Sequence, residues 1–174
     1  MENVVKKDRV MRMSLAVLVG LVVVFAGALI FAGRNASNVT QEFVAEQESK
    51  LKKAIVNVGG THLVASVADT DISRKLGLSN VKSIDANEGK MFVFDKEGYW
   101  EIWAKDMKFN FDIIWINDAG IVVDIVENVS PDTYPNSFKP KYPASKVLET
   151  NAGWVKTHNI KIGDPMLATE IKGQ

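Results

Sequence analysis

Twenty-one consecutive residues, Met13 to Gly33 (MSLAVLVGLVVVFAGALIFAG), carry no charge. As a helix at about 1.5 Å per residue, the run reaches about 30 Å, the thickness of a bilayer's hydrocarbon core. No other feature of the 174-residue chain constrains its fate so tightly. These residues predict a transmembrane helix, which makes the lipid bilayer the first expected partner. A cleaved signal peptide is the competing reading. Lys6, Lys7, Arg9 and Arg12 suit either one, and Ala26-Gly27-Ala28 has the small residues of a cleavage site. The run is longer than the roughly 7–15 residues of a signal core, and LIFAG prolongs it past Ala28, so an uncleaved anchor is expected.

Cytoplasmic flanks gather Lys and Arg. Four basic residues precede the run and only Arg34 follows closely, so residues 1–12 are expected in the cytoplasm and residues 34–174 outside, at the cell membrane. Taking the four basic and two acidic residues of the head from totals of 21 and 21 leaves 17 and 19, a net charge of −2. A polyanion such as nucleic acid is therefore an unfavourable partner. The chain has no cysteine, which excludes a lipid-modified N-terminal cysteine and leaves an outer domain that must be stable without disulfides.

Residues 34–53 are polar and lack an apolar stripe, although Glu46/Lys50 and Glu48/Lys52 have the i,i+4 spacing that supports a helix. They read as a stalk. The sequons at Asn35, Asn38 and Asn128 read as chance matches unless the chain is made in a glycosylating cell. The folded domain, 54–174, begins with two β-branched runs around Gly59-Gly60, a pair suited to a two-residue hairpin turn. Thr70 can cap a short helix, DISRKL, that Gly77 ends. MFVF (91–94) reads as a strand buried on both faces, Tyr99–Lys105 as an extended strand, and FDIIWI (111–116) pairs by a hairpin with IVVDIV (121–126). Residues 127–145 hold four of the five prolines and form a long loop of the kind that is functional or mobile. KVLET, a helical turn in NAGWVKTHN and a last strand PMLATEI complete the pattern. Many short strands with one or two short helices predict a mainly β domain, a sandwich or barrel.

Several segments, VADTDISRKLGL (67–78), MFVF, IWAKDMKFNFDIIWIN (102–117), VLETNAGW (147–154) and IKIGD (160–164), resemble in order and spacing the domain-of-unknown-function 192 family. The resemblance covers about residues 54–170. It implies a compact, mainly β domain, often exported or membrane-anchored, and no known activity. Arg74, Trp103, Lys105, Asp112, Glu149, Ala152 and Gly153 match the pattern it implies; Ala104, Asp106-Met107, Phe111 and Lys90 depart from it.

Strand alternation puts Tyr99, Glu101, Trp103 and Lys105 on one face and Trp100, Ile102 and Ala104 on the other, which reads as core. Asp112 interrupts an apolar run, and a buried carboxylate needs a partner; Arg74 and Lys105 are the candidates. Its alternatives are a structural ion pair and a polar pocket. In the pocket reading, Arg74, Trp103, Lys105, Asp106, Asp112, Glu149 and Asn151 surround a small polar ligand. Asn151 also suits a helix cap. Asp106 or Asp112 with Glu149 would make a carboxylate pair of the kind used in glycoside hydrolysis. His62 and His158 read as ordinary surface or capping residues, and no HxH, HExxH or cysteine cluster suggests zinc, so no cofactor or metal is expected. Three functions follow: a binding or accessory module for a small ligand or an envelope protein, an envelope hydrolase, and a purely structural interaction domain.

Overall fold

A computed structural model describes residues 52–171. The expected cytoplasmic head, the expected 13–33 anchor, all but the end of the expected 34–53 stalk, and residues 172–174 lie outside the described residues.

Nine strands carry the domain: β1 (Lys53–Val58), β2 (Thr61–Ala68), β3 (Glu88–Gly98), β4 (Ile102–Trp103), β5 (Phe111–Ile116), β6 (Val122–Val129), β7 (Ser137–Phe138), β8 (Ala144–Asn151) and β9 (Met166–Ile171). Helix α1 (Asp71–Leu76) lies between β2 and β3, and α2 (Trp154–Thr157) between β8 and β9. Seven strands form one sheet in the order β6-β5-β8-β3-β2-β1-β9, while β4 and β7 make a separate ribbon. Only the β2–β3 pairing is parallel, and α1 supplies its crossover. The β1–β2 turn has the expected chemistry: Gly59 and Gly60 take φ of +57° and +83°, and Val58 pairs directly with Thr61.

The sheet rolls until its two edge strands meet at one end. Ile121, just ahead of β6, bridges Pro165, just ahead of β9, and the Met166 amide donates to the Gly120 carbonyl at 2.6 Å. One of its faces therefore becomes an interior, filled by Val56, Leu63, Ala65, Met91, Ile114 and Leu148 and closed by Trp154 and Val155 of α2. The other face packs Phe92, Phe111, Ile113, Trp115 and Val147 beneath Leu78, Ile102, Ala104 and Met107, which come from the excursions between strands. Two apolar faces explain why FDIIWI is buried at every position. The prediction of a mainly β domain with one or two short helices holds, with two among the described residues, and the barrel-like alternative is the nearer one.

Two local expectations need correction. Residues Tyr99–Lys105 are not one continuous strand: only Ile102–Trp103 are paired, with β7. The predicted alternation nevertheless holds from Glu101 to Lys105, with Ile102 and Ala104 buried and Glu101, Trp103 and Lys105 exposed. Trp100 is half-buried rather than core, stacked on Phe94 at 4.1 Å, and its carbonyl accepts from Trp115 Nε1. The second correction concerns loop 127–145. β6 extends through Val129, a 3-10 turn spans Pro131–Thr133, and β7 zips onto β4. Buried Asp124 accepts from the Lys141 amide and ties the end of this excursion to the sheet.

Candidate functional site

A cavity of about 320 Å³ opens on the outer face of the sheet, between α1 with the turn after it, β3, and the segment 101–107. Its position follows from local chemistry. Thr70 accepts from the Ser73 amide and Ser73 Oγ accepts from the Thr70 amide, a reciprocal cap that starts α1 where Arg74 can reach the sheet. The Arg74 guanidinium donates to the carbonyls of Asp69 (2.9 Å) and Val93 (2.8 Å) and to Asp71 Oδ1 (2.6 Å), and lies 5.3 Å from the Phe94 ring centre. It stitches helix to strand and forms one wall. Trp103, half-exposed, forms another; Lys105 Nζ sits 5.9 Å from its ring centre, and Tyr134 from the proline-rich excursion meets it edge-on at 6.1 Å. Leu78, Phe92, Ile102 and Met107 make the lining mostly apolar.

Glu149 reaches this cavity from β8, in the middle of the sheet. It is 4 % exposed, and its Oε2 has no hydrogen-bond partner among the described residues. Directly across the ladder stands Lys90, also fully buried, which itself pairs with Ser66; on the other side Glu149 faces Ile113. Burial pushes the Glu149 pKa up to about 8, against the opposing pull of the Lys90 charge. In the protonated form that burial favours, the carboxyl offers an O–H donor as well as an acceptor.

Of the seven residues singled out in the sequence, Arg74, Trp103, Lys105 and Glu149 line the cavity together. The other three do not. Asp106 is exposed in a turn at φ +57°, where its carbonyl accepts from the Asn80 amide. Asn151 does not cap α2; its side-chain amide donates to the carbonyls of Ile84 and Asp85 and pins the loop between α1 and β3. Asp112 is fully buried on the opposite face, paired with neither Arg74 nor Lys105. Its Oδ1 accepts from the Asn128 amide at 2.8 Å and its Oδ2 from the Val155 amide at 3.0 Å. It does the capping expected of Asn151, because α2 begins at Gly153 with no side-chain cap of its own. Since Asp112 and Glu149 face opposite sides of the sheet, they cannot share a pocket as an acid–base pair.

Lys75, Ser79, Phe92, Phe94 and Met107 also line the cavity, and Lys90 neighbours Glu149, none of which the sequence singles out as site residues. Only Lys90 left a signal, as a charge set ahead of an apolar strand.

The chain belongs to the domain-of-unknown-function 192 family, described as "Uncharacterized ACR", which matches residues 54–168. No curated protein matches it. Among solved structures, a putative transcription regulator from Sinorhizobium meliloti is similar with a TM-score of 0.62 at 23% identity, covering 67% of this chain and 92% of that one. A protein of unknown function from Novosphingobium aromaticivorans is similar with a TM-score of 0.60, again at 23% identity, covering 66% and 83%. At that identity the likeness concerns the fold alone.

Proposed function

We propose that this protein is a membrane-anchored, extracytoplasmic binding module, held by residues 13–33 with its N-terminus in the cytoplasm, whose outer domain takes up a small ligand of the cell envelope in the cavity between α1, β3 and residues 101–107. The observation that carries this reading is Glu149 Oε2. A buried polar atom without a partner costs free energy on the order of 1–3 kcal/mol. Here it sits in a largely apolar cavity whose volume falls in the lower range of small-molecule sites. A ligand that supplies the missing partner recovers that cost on binding. The uncharged run of 21 residues and the basic residues ahead of it support the anchor and its orientation.

The test is a small-fragment screen by ligand-observed NMR on the full chain in lipid nanodiscs, run against wild type and Ser79→Trp. Ser79 lines the cavity and is only half-buried, so an indole there fills space without entering the core. Fragments are expected to bind wild type and to lose binding in Ser79→Trp, with only a small fall in thermal midpoint from the lost Ser79 Oγ donation to the Lys105 carbonyl. Equal binding to both proteins would remove the cavity from consideration.

A further inference from the structure

The binding reading leaves the ligand's chemistry open, and the surroundings of Glu149 narrow it. The walls contributed by Leu78, Phe92, Phe94, Ile102 and Met107 suit an apolar body and offer no side-chain hydrogen bond. A polar end that reaches past these walls is met by Glu149 at the floor. Around Glu149 the charged groups are Lys90 from β3, Asp71, Arg74 and Lys75 from α1, and Glu101 and Lys105 from the 101–107 segment; β5 offers only Ile113. Both acids other than Glu149 are engaged: Asp71 pairs with Arg74, and Glu101 accepts from the Ser137 hydroxyl. Lys75 and Lys105 remain at the mouth, and Lys90 lies beside the floor, fully buried. A ligand's ammonium group would enter against these like charges in a site that excludes water, where repulsion is least screened.

Resting on that reading of the cavity, we infer that the site selects small apolar-bodied molecules whose buried end is an oxygen acceptor, a carbonyl or carboxylate, accepting a hydrogen bond from the Glu149 carboxyl, and that it discriminates against an ammonium end. The arrangement makes binding depend on the proton that Glu149 carries. Ionisation would replace its donor with a second acceptor facing the ligand's oxygen, and binding would weaken.

Three matched probes separate the possibilities: para-fluorobenzamide, para-fluorobenzoate and para-fluorobenzylamine, titrated by fluorine NMR against the full chain in nanodiscs. Near pH 6 the amide and the benzoate should bind wild type, and the amine should not. With the Glu149 pKa at about 8, amide affinity should fall by about tenfold towards pH 9. Glu149→Gln keeps an N–H donor of the same shape, so it should bind the amide with no pH dependence over that range, whereas Glu149→Leu should lose it. Tighter binding of the amine than of the amide, or amide affinity equal in wild type and Glu149→Leu, would overturn the assignment of ligand class while leaving the cavity as a binding site. If none of the three binds, the cavity reading falls and the inference with it.

Discussion

Two buried carboxylates on adjacent strands meet opposite fates because one residue of register separates them. Asp112 lies opposite Thr150, and Ile113 lies opposite Glu149, so alternation sends the two carboxyl groups to different faces. Asp112 ends among backbone amides that need an acceptor. Asp112→Asn keeps one carbonyl oxygen but turns an NH₂ group towards an N–H, so it should lower stability by about 1–3 kcal/mol in urea unfolding without changing fragment binding. Glu149 is destabilising in its charged form. Burial raises its pKa to about 8 in the native state from an ordinary value of 4.5, so between those values the unfolded chain releases a proton that the native state retains. The contribution of Glu149 to stability is therefore greatest below about pH 4.5, declines as pH rises to about 8 and is constant beyond, a total on the order of 5 kcal/mol. Thermal midpoints of wild type and Glu149→Gln measured across this range should diverge steadily as pH rises, the variant gaining relative to wild type. Parallel curves would mean that the carboxyl is ionised in the native state throughout.

The strands that present Glu149 tolerate little at their closest approach. Gly89, one position before Lys90, faces the interior, and a Cβ there would stand 2.7 Å from the Glu149 carbonyl and 3.2 Å from Leu63 Cδ1. Backbone cannot yield as a flexible side chain can, so Gly89→Ala should force β3 from β8 and cost about 1–3 kcal/mol, read as a lower denaturant midpoint. Because it shifts the Lys90–Glu149 pair as well, fragment affinity should fall with it. At this scale the sequence was informative wherever the signal was local. The Gly59-Gly60 turn, the Thr70 cap and the end of α1 at Gly77 all depend on residues within a few positions of each other. It misled where pairing was distant. Tyr99–Lys105 has the composition of a strand, yet its neighbour β7 lies more than thirty residues on, and only Ile102 and Trp103 find partners. Asn151 has the chemistry of a cap, but β8 carries it past the start of α2 to the loop at Ile84 and Asp85.

For the whole molecule, the proposed anchor makes a prediction of topology. Carbonate extraction of membranes should leave the full chain in the pellet, and protease added from outside should reach the domain 54–174 while an epitope placed at the N-terminus stays protected; the reverse protection pattern would invert the proposed orientation. The sequence by itself determined the uncharged run, the β-rich character, the hairpins and the family, because each is written in hydrophobic period, turn residues or ordered motifs that need no distant partner. It also named four cavity residues, Arg74, Trp103, Lys105 and Glu149. Only the tertiary structure decided that they share one wall-and-floor arrangement, that Asp112 does not belong to it, and that Lys90 stands beside Glu149. The physical reason is that a rolled sheet brings together residues 59 positions apart, such as Lys90 and Glu149, while strand alternation sends neighbours in sequence to opposite faces.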